Sequence, residues 1–226
     1  MKVARVDVTG VGVKSTDLIR GLYAVTPDEA DTAALLDKAA RALRGGAAVL
    51  QYRNKTATAA LKRQQAAALV ALCRTHDAIF IVNDDVGLAL EVDAHGVHLG
   101  GEDGDLSEAR RRIGPAKLLG ASCYNRMALG IAAKAAGADH VAFGAAFASP
   151  TKPAAVNASL DLYRRAAAEI GLPVVAIGGI TLSNAGTLIA AGVDAVAVIT
   201  DLFGAPDVEQ QAMAFKALFR LRSTST

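Results

Sequence analysis

The sequence predicts an α/β protein folded as a single-domain (β/α)8 TIM barrel, and three observations carry that prediction. Short apolar runs alternate with amphipathic helical patterns eight times between residues 21 and 222. No composition shift or linker divides those units. Several of the apolar runs end in polar or glycine residues close to a helix start: Gln51-Tyr52-Arg53-Asn54-Lys55, Asn83-Asp84-Asp85, Glu102-Asp103, Ser122, Ser149-Pro150-Thr151-Lys152 and Gly178-Gly179. Strands that alternate with helices pair in parallel, and eight such units fit a closed barrel better than the alternative, an open doubly wound sheet. In such proteins ligands bind at the edge where the strands emerge.

Taken in order, residues 22–26 read as the first strand, stopped by Pro27. Asp31 or Thr32 can cap a helix whose Leu35, Leu36, Ala39, Ala40 and Leu43 share a face, and Gly45-Gly46 ends it. Residues 46–50 form the second strand and deliver the stretch Gln51 to Lys55; the helix after it carries Leu61, Ala68, Leu69 and Leu72 on one side and runs to about Thr75. The third strand, 78–82, delivers Asn83 and Asp84 ahead of a short helix over 86–92. The fourth, 95–99, runs into Gly100-Gly101-Glu102-Asp103. Asp105 to Glu108 mark a helix start and Gly114-Pro115 its end. Strands at 117–121, 140–144, 173–177 and 195–199, with helices at 127–136, 159–170, 182–191 and 208–221, complete the pattern. Residues 1–20 precede it as an N-terminal extension, and 223–226 form a polar tail expected to fray.

Composition narrows the function. A chain of 226 residues with 52% hydrophobic content can bury a full core. A net charge of +2, with no basic stripe interleaved with aromatics, argues against nucleic acid as a main partner. No apolar stretch reaches the length of a membrane span, and the first twenty residues lack a continuous apolar core of a signal peptide. The two cysteines, Cys73 and Cys123, have neither redox nor metal spacing. A soluble cytoplasmic protein acting on small molecules is expected, its oligomeric state not readable.

In a barrel the polar strand ends share one rim. Ile177-Gly178-Gly179-Ile180-Thr181 before a helix offers backbone amides and a helix dipole to an anion, and Val198-Ile199-Thr200-Asp201 is its neighbour. The loops after strands seven and eight form the usual phosphate site of such barrels; glycines that only permit tight turns are the plainer alternative. Asp84 and Asp103 end neighbouring strands. Two carboxylates about 4 Å apart repel by about 4 kcal/mol at an effective dielectric of about 20, so a positive charge belongs between them. Oxygen ligands of this kind suit Mg²⁺, which often binds through one or two carboxylates plus substrate phosphates. One of the two could instead cap a helix, leaving Asp85 or Glu102 as the ligand. No His/Cys cluster points to zinc, and His98 reads as a core histidine. Arg53, Lys55 and Lys152 add cations beyond what one monophosphate needs, which implies a polyphosphate group as well. Two phosphate pockets, one with metal, fit the joining of a phosphorylated nucleophile to a diphosphate-activated partner.

Together these motifs, with Gly96-Val97-His98-Leu99-Gly100, Gly120-Ala121-Ser122, residues 147–152 and residues 176–180, resemble thiamine-phosphate synthase over about residues 21–205, one motif per strand end and in the right order. The resemblance implies a (β/α)8 barrel that joins 4-amino-2-methyl-5-hydroxymethylpyrimidine diphosphate to a thiazole phosphate, or its carboxylated form, by a dissociative route, giving thiamine monophosphate and pyrophosphate. It implies that Gln51, Tyr52, Arg53, Asn54, Lys55, Asn83, Ser122 and Lys152 hold the pyrimidine diphosphate, with Arg53, Lys55, Ser122 and Lys152 in catalytic roles. Asp84 and Asp103 would ligate Mg²⁺; Ser149, Pro150, Thr151, Gly179, Ile199 and Thr200 would hold the thiazole phosphate. The chain departs from the pattern at Gly101, where the family usually has Gln, and at Ala145-Ala146 and Ala148-Ser149, where it has Gly-Pro and Pro-Thr. The rival readings are a thiazole tautomerase-like relative, a sugar-phosphate epimerase and a non-catalytic binder of a thiamine precursor. The first two need no cationic diphosphate half.

Overall fold

The computed structural model describes residues 18–101, 103–148 and 157–223. Eight parallel strands close in sequence order into a barrel: β1 (Gly21–Val25), β2 (Val49–Tyr52), β3 (Ile79–Asn83), β4 (Gly96–Leu99), β5 (Leu118–Tyr124), β6 (His140–Phe143), β7 (Val174–Ile177) and β8 (Ala195–Val198). Around them lie α1 (Thr32–Arg44), α2 (Ala59–Thr75), α3 (Val86–Glu91), α4 (Leu106–Ile113), α5 (Met127–Ala135), α6 (Leu160–Glu169), α7 (Ala185–Ala190), α8 (Thr200–Phe203) and α9 (Val208–Ser223). The expected barrel is therefore present, and the open sheet is excluded.

Strand alternation divides the core in two. Tyr23, Val25, Val49, Ile79, Ile81, Leu118, Ala142, Val175, Ala195 and Ala197 pack inside the barrel, joined by Ile19 from the segment before β1. Their neighbours along the strands, such as Leu22, Leu50, Phe80, Val97, Leu119 and Val196, face the helices in a second, larger cluster. The inner side chains are mostly small and branched, as expected of a barrel without tryptophan. Cys73 and Cys123 are buried and unpaired, and burial pushes both thiols up to about 12, out of reach as nucleophiles. No helix among the described residues is long and apolar enough to cross a membrane.

Several boundaries differ from the sequence expectation. The second strand starts at Val49, because Gly46 and Ala47 donate back to Leu43 and Ala42 and so belong to the end of α1. Gln51 and Tyr52 consequently lie within β2 instead of beyond it. On α2 the buried face is Gln65, Ala66, Leu69, Val70 and Cys73, rotated from the expected Leu61, Ala68, Leu69 and Leu72; a buried hydrogen bond from Tyr52 to Gln65 sets that rotation. The seventh helix is only Ala185–Ala190, since Asn184 Oδ1 accepts from Thr181 N and folds residues 181–184 into a turn. A short helix, Thr200–Phe203, follows β8, and α9 continues to Ser223, inside the expected tail.

The face opposite the rim has its own repeated device. The residue leading into a strand accepts a hydrogen bond from the first amides of the preceding strand: His95 Nδ1 from Phe80 N at 3.0 Å, Asp139 Oδ2 from Leu119 N at 2.7 Å and Asp194 Oδ2 from Val174 N at 2.9 Å. Each satisfies a strand-end amide that the ladder leaves over. Asp194→Ala should therefore destabilise the fold by about 1–2 kcal/mol, read as a lower urea midpoint at unchanged slope; an unchanged midpoint would remove the clip from the account.

Candidate active site

The same alternation sorts the strand-end residues. Gln51 points into the barrel, its Nε2 donating to Tyr23 Oη at 2.8 Å. Asn83 stands beside His98 in the β3/β4 register, and Ser122 lies 2.9 Å from His98 Nε2. Tyr52 takes the opposite parity. Its ring packs in the outer cluster and its hydroxyl donates to Gln65 Oε1 at 2.8 Å, while burial pushes the phenol up to about 12 and keeps that proton in place. What remains for Tyr52 is a place in the wall of the pocket.

The loop after β2 is held by a buried polar frame. Thr26 Oγ1 accepts from Arg53 N and donates to Arg53 O, both at 2.9 Å. Asn54, itself buried, donates through Nδ2 to Glu29 O at 2.8 Å and Gln65 Oε1 at 3.1 Å, and its Oδ1 accepts from Ala57 N. Asp28 Oδ1 accepts from Lys55 N at 2.7 Å and from Arg53 Nη1 at 3.2 Å. Asn54 thus serves the loop's shape, and Arg53 and Lys55 are the side chains that the shape presents.

Beside that loop, Asp84 and Asp103 share a hydrogen bond, although one belongs to β3's end and the other to β4's. Burial first, then the Asp103 carboxyl, push Asp84 up to about 6, against the pull of the Lys55 ammonium and a hydrogen bond from Asn83. Asp84 sits at φ 65°, a left-handed conformation that Asp and Asn tolerate best among side-chain-bearing residues. The helix-cap role falls to Asp85, whose Oδ1 accepts from Leu88 N at 2.8 Å. Asp103 Oδ2 accepts from Gly100 N at 2.8 Å. Tyr52, Asn54, Lys55, Lys62, Asn83, Asp84, Asp85 and Leu88 line a cavity of about 250 Å³ here.

Further round the rim, the loop after β7 meets the loop after β6. Ala146 N donates to Ile177 O and Phe147 N to Gly178 O. Gly179, at φ 61°, lies so close that a Cβ there would sit 2.6 Å from Phe147 O and 2.7 Å from Ala148 O; only glycine fits. The expected helix start does not follow directly, since α7 begins at Ala185. Its place is taken by α8, whose first turn begins at Ile199 and Thr200, and short helices of this kind accompany phosphate loops in barrels. Asp201 Oδ2 accepts from Leu182 N at 3.0 Å and Gln211 Nε2 at 2.7 Å, tying the β7 and β8 loops together.

The structure therefore brings Gln51, Arg53, Lys55, Asn83, Asp84, Asp103, Ser122, Gly179, Ile199 and Thr200 to one rim. Glu102 and Ser149, Pro150, Thr151 and Lys152 lie outside the described residues. Sequence reasoning missed Thr26, Asp28, Gln65 and Lys62, and named Asp201 on the rim without its tie between the β7 and β8 loops. Lys62 could have been found as a cation in the first turn of the helix that the Arg53-Lys55 loop enters; Gln65, an amide on the buried side of a helix, carried a signal only once that face was known. A second depression of about 220 Å³, lined by Asn125, Asn157, Ser159, Asp161, Leu162 and Arg165, lies at the start of α6 and holds none of the expected residues.

This fold, with cations and a carboxylate pair converging at the C-terminal ends of its strands, defines a (β/α)8-barrel enzyme. The family model described as thiamine monophosphate synthase matches residues 22–202, and the chain belongs to that family. It is 54% identical over 201 residues to the thiamine-phosphate synthase of Aromatoleum aromaticum, covering 89% of this chain and 97% of that protein. The thiamine-phosphate synthase of Methylobacillus flagellatus is also 54% identical over 201 residues, covering 89% and 96%. Among solved structures, thiamine phosphate pyrophosphorylase from Pyrococcus furiosus superposes with a TM-score of 0.80 at 34% identity, covering 92% of this chain and 98% of that one.

Because the folded-state value of Asp84 is raised from 3.8 to about 6, its ionisation costs stability that grows as pH rises through that window and is absent below it. Asp84→Asn keeps the left-handed preference and removes the charge. With its partial exposure discounted, it should stabilise the metal-free protein by about 1 kcal/mol at pH 7.5, or about 2–4 °C in Tm, and by less at pH 4.5. A gain independent of pH, or a loss, would contradict the carboxylate repulsion.

Proposed function

We propose that the protein joins 4-amino-2-methyl-5-hydroxymethylpyrimidine diphosphate to a thiazole phosphate at this rim, releasing pyrophosphate and forming thiamine monophosphate. The observation that supports this best is the meeting of Lys55 with the Asp84 and Asp103 carboxylates beside the Arg53 loop. That half of the rim is surplus to a monophosphate site, so a thiazole tautomerase or sugar-phosphate epimerase has no use for it.

Mg²⁺ fits the donor set. Asp84 and Asp103 offer oxygens alone, burial together with the Asp103 carboxyl pushes Asp84 up to about 6, and among the described residues no cluster of three His, Cys, Asp or Glu suits a metal held by protein ligands only. Such a pair is typical of Mg²⁺ completed by water and substrate phosphate. Mg²⁺ held there would neutralise charge on the departing pyrophosphate. Arg53 presents a planar fork and Lys55 a point charge to the same diphosphate, and the Asp28 partner of Arg53 keeps the guanidinium oriented beforehand. Gln51 and Asn83 offer amide groups to the pyrimidine inside the mouth.

In a dissociative route the C–O bond breaks, the ring amino group stabilises the pyrimidine methylene cation, and the thiazole nitrogen attacks it. Positioning and charge neutralisation matter there more than a strong base. The environment agrees: burial pushes His98 down to about 4, so it stays neutral and carries no positive charge at working pH. Gly179, Ile199 and Thr200 would hold the thiazole phosphate, together with Ser149, Pro150 and Thr151 by the resemblance, while Lys152 by the same resemblance joins the cations on the diphosphate.

The first test is pyrophosphate release, which should require both substrates and Mg²⁺ together. Thiazole phosphate binding without release would favour a tautomerase-like relative or a non-catalytic binder. Arg53→Ala should slow release about 100-fold while thiazole phosphate affinity, measured by calorimetry, changes little; equal losses in both would contradict the division of the rim. Gly179→Ala should do the reverse, weakening thiazole phosphate binding about tenfold through the collision with Phe147 and Ala148.

A further inference from the structure

Below the mouth, two imidazoles meet inside the barrel. His140 is fully buried and His98 is 7% exposed. His98 Nδ1 lies 3.4 Å from His140 Nε2, and His98 Nε2 lies 2.9 Å from Ser122 Oγ. The rings reach each other across β5 because Gly120 stands between them: a Cβ there would lie 2.3 Å from His140 Nε2 and 2.4 Å from His98 Nδ1. Tyr23 packs against the far ring at a centroid distance of 6.1 Å. The remaining nitrogen, His140 Nδ1, is buried with no hydrogen-bond partner among the described residues.

That orphan atom orders the chain. A neutral imidazole carries one N–H and one acceptor nitrogen, so the two rings can donate either toward Ser122 or away from it. Donation away would leave an N–H at His140 Nδ1, a buried donor with nothing to bond. Donation toward Ser122 leaves only a bare lone pair there, and buried orphan N–H groups are the rarer of the two in folded proteins. We propose that His140 and His98 are positioning residues: His140 Nε2–H donates to His98 Nδ1, His98 Nε2–H donates to Ser122 Oγ, and the Ser122 hydroxyl is thereby left as an obligatory donor into the barrel mouth. The atom it addresses is an acceptor, a diphosphate oxygen of the first substrate. This last step rests on the proposed function; the order of the protons does not.

Nitrogen-15 NMR of the wild-type imidazoles tests the order directly. The chain has four histidines, and His95, whose Nδ1 accepts from Phe80 N, supplies an internal standard for the Nε2–H tautomer. Both His98 and His140 should match it. A proton on His98 Nδ1 overturns the proposal, whatever the protein catalyses. The activity arm uses Ser122→Ala, expected to slow pyrophosphate release about 10–100-fold, and His98→Phe, expected to slow it about tenfold. If His98 acts through Ser122, the double variant is no slower than Ser122→Ala; multiplied losses overturn the positioning role. Absence of release by the wild type would count against the proposed function while the tautomers still decide the relay.

Discussion

Asp84 and Asp103 are the pair around which the rim is arranged. They follow adjacent strands of a closed barrel, and the bond from Gly100 N to Asp103 Oδ2 folds the loop after β4 back toward the β3 end. Their repulsion is of the order of 4 kcal/mol at about 4 Å separation and an effective dielectric of about 20, and burial together with the Asp103 carboxyl raises Asp84 to about 6. The neighbouring β2 loop brings Lys55 close enough to oppose that shift. Charge is therefore sorted by strand around the mouth, with cations after β2, carboxylates after β3 and β4, a hydroxyl on β5, and the glycine and short-helix loops after β7 and β8.

The cations need support because long side chains lose conformational freedom when they are held. Here the frame acts on the backbone. Thr26, Asp28 and Asn54 fix residues 53–57 through main-chain hydrogen bonds, and Gln65, fully buried, joins Tyr52, Asn54 and the Glu29 carbonyl. Each of these amide and hydroxyl groups has a partner, which is the condition under which a buried polar network rigidifies instead of weakening a core. The Lys55 side chain is left to line the pocket, and among the described residues the Arg53 guanidinium is tied to Asp28.

The barrel was legible because parallel strands buried on both faces read as short apolar runs, and capping residues such as Asp31, Asp105 and Ser159 stand where helices begin. The rim residues were legible because polar side chains follow those runs. What was not legible depended on direction. That Tyr52 turns outward while Gln51 turns inward is fixed by one residue of strand register, and the strand's start was hidden by the turn at Gly46 and Ala47. The α8 segment, Thr-Asp-Leu-Phe, is too short for any periodicity to announce it. His98 and His140 stand 42 residues apart in the chain and meet only across the missing side chain of Gly120.

Gly101, the position at which the family usually carries Gln, shows how a departure can be absorbed. Tyr124, at the end of β5, arches over the loop after β4, and its hydroxyl accepts from Gly101 N at 3.2 Å. A Cβ at residue 101 would already lie 3.3 Å from that oxygen and 3.4 Å from the ring, so the phenol occupies the space a side chain there would enter. Although Tyr124 is 46% exposed, its φ of 53° is an uncommon conformation for an aromatic residue, and the tether to Gly101 gives that conformation a partner. The loop that presents Asp103 is thus held from above by Tyr124 and from within by the Gly100 amide. The small residue and the aromatic act as one unit, and a long side chain at 101 without removal of the phenol would collide with Tyr124 and displace the loop that carries Asp103.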